Sequence, residues 1–473
     1  MKSSNLKIIT IIAILLYFLS LDNHIYAQDG LRDITFNSGL GQSNTVNDIA
    51  VQSNGQILIG GQFPLYSGQW INNFARLNTN GVRDTSFHTG TGPSGNVYCI
   101  VIQSDGKILI GGGFYNYNGV ARAGIARINT DGTLDTTFNP GTGMGSGWVN
   151  DIAIEAGGKI IIAGAFTTFN GTSRNRIARL NSDGSLDITF NPGTGADAII
   201  RTIDIQSNGK IMVGGHFSTF NGVTRNYIAR LNTNGSIDNT FNPGTGTSAW
   251  INKIVVQSDG KILIGGAFHF YDGYSSWYLV RANMDGSVDS SFFSGFDYPV
   301  MDILMQPNNK IVIVGAFTSG LGLPAHRIAR VNIDGSKDVT YQTLSGADDD
   351  ILAVAMQSDW KLIVGGEFDE FISSSGTAAI ARVHNAIVTS SENSLSEYTL
   401  NAYPNPVYDY LTINHTGNEI GEDYTLFDYT GRSILTGRIK LMESVINLSG
   451  LPAGIYFYKL NSRNQSLKIL KAF

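Results

Sequence analysis

The chain has 473 residues, with 32 Lys plus Arg against 38 Asp plus Glu and a formal net charge of −6. That length permits two or three domains with a substantial core, and the mild acidity excludes the basic footprint of a nucleic-acid binder. Its 56 glycines are about 12% of the residues where about 7% is usual, and charged residues are 15% where about 25% is usual, which excludes an ordinary helical enzyme.

In chain order, Lys2 and Lys7 precede the apolar stretch Ile8 to Leu19, and Ile25-Tyr26-Ala27 offers a small residue for cleavage before Gln28. Residues 1–27 therefore read as a secretory signal peptide. An uncleaved anchor is the alternative, but the apolar run is short for a span and no other long one follows. The expectation is an exported protein with no transmembrane segment in the mature chain. Cys99 is the single cysteine, so no internal disulfide is available. It lies in the β-prone run Val97 to Val101, where an inert buried thiol is favoured over a nucleophile.

Four markers then recur seven times, 49 to 52 residues apart for the first of them. The first is a Lys or Gln after a turn, at Gln56, Lys107, Lys159, Lys210, Lys261, Lys310 and Lys361. The second is an aromatic after a Gly-rich strand end, from Phe63 to Phe368. An arginine follows at Arg76, Arg127, Arg179, Arg230, Arg281, Arg330 and Arg382, and an aspartate three residues before an aromatic at Asp33, Asp84, Asp135, Asp187, Asp238, Asp289 and Asp338. Within 151–190 the pattern predicts four strands, at 151–154 (a), 159–163 (b), 176–180 (c) and 186–190 (d), separated by Gly157-Gly158, Asn170-Gly171 and Asp183-Gly184. Runs such as Ile262-Leu263-Ile264 suit strands covered on both faces. Four-stranded units near 50 residues fit propeller blades, so the prediction is an all-β fold with a seven-bladed β-propeller over 28–385. The last unit lacks its own d strand, while the segment with Asp33 and Phe36 precedes the first unit; together they predict ring closure, which removes exposed sheet edges.

The strand order places the b–c and d–a connections on one face. Trp70 and Trp277 fall in b–c connections, and Trp148 and Trp250 end d–a connections, making these four the candidate binding residues beside a plain packing role. The same face receives Asp348, Asp349, Asp350, Asp369 and Glu370, a candidate calcium set, with ordinary solvated acids as the alternative. The Asn-x-Asp-Gly runs read as turns, since the terminal glutamate of a calcium loop is missing. Arg122, Arg174 and Arg225 are candidates for an anion or for surface ion pairs. The seven histidines form no metal motif, and no nucleophile elbow, phosphate loop or dinucleotide fingerprint is present, so no cofactor is implied.

The markers stop after Arg382. Residues 386–398, with Thr389-Ser390-Ser391-Glu392-Asn393-Ser394, read as a linker, and 399–473 as a small antiparallel sandwich with strands near 410–413, 424–428 and 455–460. Tyr403-Pro404-Asn405-Pro406-Val407, Leu426-Phe427-Asp428-Tyr429-Thr430-Gly431-Arg432 and Leu448-Ser449-Gly450-Leu451-Pro452-Ala453-Gly454-Ile455-Tyr456 resemble the successive motifs of a type A sorting domain for type IX secretion, and Lys468 to Phe473 resembles its basic-apolar terminus. The resemblance implies passage through the periplasm, recognition by type IX secretion machinery, and removal of the tail with release or surface attachment. The QSxGK, GGxF, IAR and DGxxDxxF elements of residues 29–384 resemble delta-60 type propeller repeats, which supply no catalytic residue set. The expected function is a secreted or cell-surface binding scaffold for an extracellular glycan or protein. An extracellular polysaccharide hydrolase or lyase centred on the acidic set is the alternative, and a structural envelope protein a third.

Overall fold

The computed structural model describes residues 30–293, 295–320, 322–341, 346–371, 378–385, 401–403, 407–414, 423–428, 432–439, 443–460 and 466–472. The signal segment 1–27, the linker 386–398, Pro404 to Pro406 and Thr430-Gly431 lie outside the described residues. The chain divides into two compact units, residues 1–387 and 388–473.

Among the described residues the first unit contains seven three-stranded antiparallel sheets, each made of an inner, a middle and an outer strand in chain order. Sheets 1 to 7 begin with the inner strands Thr45–Val51, Val97–Ile102, Val149–Ile154, Ile200–Ile205, Ile251–Val256, Val300–Met305 and Ile351–Met356. Each inner strand packs against the next, and the seventh against the first, so the cycle closes. Sheet 3 illustrates the register: Ile152 pairs with Ile162 and Ile162 with Ala178. The apolar runs of its middle strand Ile160–Gly164 and outer strand Ile177–Leu180 are buried throughout, as two-sided coverage requires.

The glycine excess has a packing cause. A Cβ on Gly111 would lie 2.5 Å from Cys99 Sγ and 2.8 Å from Val149 Cγ1 of the next sheet, and one on Gly365 would lie 2.5 Å from Val46 Cγ1 across the closing seam. At these two positions the middle strand leaves space into which the following sheet inserts a β-branched side chain, whose burial is worth about 1.5–3 kcal/mol.

Two features refine the four-strand reading. The d segment at 186–190 pairs with the outer strand through one bridge, Leu180 to Leu186, and then turns. Asp187 causes the turn, because its Oδ1 accepts the Thr189 N–H at 2.9 Å and hydroxyl at 2.6 Å, drawing the chain out of the ladder. The b–c connection forms a hairpin of its own, Thr168–Phe169 against Thr172–Ser173. Asn170 and Gly171 both take positive φ, 46° and 72°, as a two-residue hairpin turn requires.

Ring closure is direct. Arg32 bridges to Val383, the Asp33 N–H donates to the Arg382 carbonyl at 2.7 Å, and Phe36 is buried in the core shared with sheets 1 and 7.

The second unit has a three-stranded sheet, Asn401–Tyr403, Tyr410–Asn414 and Glu443–Asn447, and a four-stranded sheet in the order Ser433–Arg438, Asp423–Asp428, Gly454–Leu460, Ser466–Lys471. Both are antiparallel, and Leu411 and Ile446 of one share a core with Leu426 and Tyr458 of the other.

Candidate functional site

Most of the repeated charge is consumed by the scaffold. In unit 3, Asp187 Oδ2 accepts from Arg179 Nε and Lys159 Nζ, each at 2.7 Å. The Arg179 guanidinium lies 5.0 Å from the centre of the Phe190 ring, and its Nη1 donates to the Thr233 carbonyl of the next unit at 2.6 Å. The Lys, Arg and Asp markers and the aromatic after Asp therefore form one device that ties neighbouring units. Gln56 replaces the lysine in unit 1, donating to Asp84 at 2.7 Å. Asp33 receives Arg382 at 2.9 Å, and Arg330 Nη1 bonds Asn385 Oδ1 at 2.7 Å. Burial works to raise the Asp187 carboxyl, but hydrogen bonds from Lys159, Thr189 and Arg179 outweigh it and hold the group well below the usual carboxylate range.

The inner strands carry the remaining polar groups around a central cavity of about 120 Å³ lined by all seven sheets. Each inner strand has a bulge after its first or second residue, as between Val149 and Asp151. At the bulge stand Asp48, Cys99, Asp151, Thr202, Lys253, Asp302 and Ala353 in turn. Asp48, Asp151 and Asp302 each accept an N–H from the next sheet, Ile100 at 2.6 Å, Ile203 at 2.8 Å and Val354 at 3.0 Å, and Thr202 accepts that of Ile254 at 3.2 Å. Lys253 instead reaches Asp302 Oδ1 at 3.0 Å. Burial pushes the Asp48 carboxyl up to about 7 and the Asp151 carboxyl up to about 6, against the pull of Lys253. Burial and the Asp151 and Asp48 charges push the Cys99 thiol up, which agrees with an inert role.

One residue above Asp48, Asp151 and Lys253, Asn47, Asn150 and Asn252 donate to the next sheet's carbonyls at Val97, Ile200 and Val300. Arg201 stands at this level in sheet 4, exposed, with Nη1 on Asn252 Oδ1 at 2.8 Å. Trp148 and Trp250 occupy equivalent positions immediately before the inner strands of sheets 3 and 5, on either side of the Arg201 strand. Trp250 stacks on His216 with ring centres 5.3 Å apart and planes 5° from parallel, and Trp148 meets Tyr98 edge-on at 6.5 Å. Burial and the Arg201 charge lower the His216 imidazole below its ordinary value.

The other candidates are more dispersed. Trp70 is 74% exposed, beside a cavity of about 260 Å³ that Arg83 and His88 also line. Trp277 packs on His269 at 4.9 Å and donates from Nε1 to Ser275 Oγ at 2.8 Å. Among the described residues no ring contact joins two of the four tryptophans. Asp348 Oδ1 accepts the N–H groups of Asp369 and Glu370, both at 3.0 Å, Asp369 Oδ1 accepts that of Ser43 at 2.9 Å, and Asp349 Oδ1 that of Asp350 at 2.8 Å. These acids order their own loops and, through Asp369 and Ser43, the segment that leads into sheet 1. Among the described residues no group of three or more His, Cys, Asp or Glu side chains is arranged to hold a metal ion. Arg122, Arg174 and Arg225 each donate to the carbonyl of the preceding residue, Arg225 also to Asn239 Oδ1 at 3.2 Å, and among the described residues none of the three forms an ion pair. Sequence reasoning missed Arg201, His216, Tyr98 and Glu367. Burial followed by the nearby Asp350 and Asp349 charges raises the Glu367 carboxyl. The available signal was positional, for these residues stand where aligned units differ.

Six segments, 52–87, 103–138, 158–190, 206–241, 257–292 and 306–341, match the β-propeller domain of unknown function DUF5122, and residues 401–471 match a secretion system C-terminal sorting domain. No curated protein matches. Among solved structures, the extracellular domain of a hybrid two-component system from B. thetaiotaomicron is 14% identical with a TM-score of 0.48, covering 91% of this chain and 55% of that one. PorZ, a surface component of the type-IX secretion system of Porphyromonas gingivalis, is 17% identical with a TM-score of 0.43, covering 93% of this chain and 61% of that one. Virginiamycin B lyase from Staphylococcus aureus is 13% identical with a TM-score of 0.36, covering 80% of this chain and 95% of that one. The chain thus spans 55% and 61% of the length of the first two, and at these likenesses neither activity nor partner passes to it. Among the described residues no helix is long and apolar enough to cross a membrane. The chain carries a repeating β-propeller matched by DUF5122, followed by a secretion-system C-terminal sorting domain.

Proposed function

We propose that the seven sheets are the blades of a seven-bladed propeller of the delta-60 type, and that this propeller is a binding scaffold for an extracellular glycan or protein. The signal segment 1–27 is cleaved on export to the periplasm, and the type IX machinery then engages the sorting domain and carries the propeller to the surface or the medium. The observation that supports binding is the contrast between the two classes of polar and aromatic group. The repeat arginines and aspartates are buried and spent on one another, whereas Trp70, Trp148, Trp250 and Trp277 remain 74%, 37%, 42% and 50% exposed in the connections. Exposed aromatics on a rigid scaffold supply contact area at little ordering cost. The test is a glycan array together with a pull-down of extracellular proteins, using the full chain after signal removal. Saturable retention that Trp148→Ala and Trp250→Ala weaken supports the reading, and the absence of any saturable ligand rejects it.

A further inference from the structure

Arg201 differs in kind from the arginines of the repeat. Each of those gives its Nε or Nη atoms to an aspartate, as Arg179 does to Asp187 and Arg230 to Asp238, with side chains no more than 10% exposed in any of the first six units. Arg201 is exposed and has one polar partner among the described residues, Asn252 Oδ1, so most of its five-donor fork is unspent. It is also surrounded by protein on its flanks, and burial lowers its guanidinium from the ordinary value without removing the charge. A cation so placed is partly stripped of water and gains when an oxyanion replaces that water.

Its neighbours narrow the class of anion. Trp148 and Trp250 flank the Arg201 strand at one register level, where the other sheets put Thr45, Asn96, Ile199, Pro299 and Asp350. His216 covers one face of Trp250 and leaves that ring 42% exposed. On the far side of the ring, sheet 7 carries Asp349, Asp350 and Glu367, which repel an anion toward sheets 3 to 5. The central cavity, about 120 Å³, is smaller than the roughly 300–1,000 Å³ of sites that engulf small ligands, so the ligand rests on the mouth.

We infer that the channel mouth over sheets 3 to 5 is a subsite for an acidic sugar of a polysaccharide, with Arg201 taking the oxyanion and Trp148 and Trp250 facing the pyranose rings beside it. The inference rests on the binding-scaffold reading and names its ligand class. A flat aromatic on each side of a cation suits a chain of rings carrying a charge, whereas an acidic peptide has no ring faces to offer to the tryptophans.

Titration calorimetry on the full chain after signal removal tests this with four probes: an oligouronate, a sulfated oligosaccharide, a neutral oligosaccharide of equal length and an acidic peptide. Expected are binding of the oligouronate or the sulfated probe, the stronger arm identifying the oxyanion, and weakening as salt rises. Arg201→Gln should weaken it about tenfold or more, with Arg201→Lys intermediate because charge without the planar fork is retained. Trp250→Ala should weaken it comparably, and Trp70→Ala on the periphery should leave it within about twofold. An unchanged thermal midpoint for Arg201→Gln separates lost recognition from lost folding. Equal binding of the neutral probe, indifference to Arg201→Gln, or binding of the peptide alone overturns the acidic-sugar subsite and leaves the scaffold reading standing. If none of the four probes binds, the subsite is rejected, and the scaffold reading falls only if the glycan array and pull-down are also empty.

Discussion

Lys253 is the residue on which the channel's charge balance turns. Its Nζ lies 3.0 Å from Asp302 Oδ1, and it also moderates Asp48 and Asp151. Although protein surrounds it, 37% of its side chain is open to the channel, so solvent screens the pair. Lys253→Met should therefore cost about 1–3 kcal/mol in chemical denaturation, less than the ~3–5 typical when one partner of a dry pair is removed. The loss should be smaller at pH 5 than at pH 8. Asp48 and Asp151 have folded values raised to about 7 and about 6, so the stability they contribute is complete below the unfolded value near 4 and is lost as pH rises through those folded values. Without the nearby cation, protonation at pH 5 relieves them and ionisation at pH 8 does not. Cys99 should resist thiol reagents in the native protein and react on unfolding, because its thiol is buried and its pKa is raised.

At the scale of the repeated element, the clamp makes predictions of unequal size for two of its members. Asp187→Asn leaves Arg179 and Lys159 without their carboxylate in a site where Asp187 is 5% exposed, and should cost about 2–4 kcal/mol. Lys159→Gln should cost less than about 1 kcal/mol, because Gln56 already fills that place in unit 1 and its amide still reaches the aspartate. Urea denaturation of the two variants checks both figures. The clamp also shows what was legible in the sequence. Lys159, Arg179 and Asp187 announced themselves by spacing, since a device required in every unit must recur in every unit. The inner ring could not be found in that way: Arg201, His216 and Lys253 do their work by departing from the repeat, and a departure has no period. The short hairpin at Thr168–Ser173 escaped for another reason, that two-residue strands carry too few side chains to show an alternation. The fourth strand is shorter than the spacing over 186–190 suggests, because after the Leu180 to Leu186 bridge Asp187 turns the chain through its hydrogen bonds to Thr189.

For the whole molecule, closure and acid stability share one cause. The carboxyls of Asp33, Asp84, Asp135, Asp187, Asp238, Asp289 and Asp338 are all held below their ordinary value. A lowered group contributes stability above its unfolded value, about 3.9, and loses it as pH falls through the folded value. These seven outweigh the raised Asp48, Asp151 and Asp204, so the thermal midpoint should fall steeply as pH drops below about 4. Calorimetric scans from pH 3 to pH 7 would show it. Removing residues 28–37 deletes Asp33 and Phe36 from the seventh sheet and strands the Arg382 guanidinium, which is 7% exposed when paired. That truncation should cost about 3 kcal/mol or more and increase binding of a hydrophobic dye. The Asp33 to Arg382 pair joins positions 349 residues apart, so it also sets the order of events during biogenesis. The sheets are built from contacts within one unit and can form as each is made, but the latch must wait until Arg382 is free to meet Asp33. A chain that emerges in sequence order therefore stays an open string of units until its far end arrives, and a chaperone that holds residues 30–37 would delay the finished ring without unfolding any sheet within it.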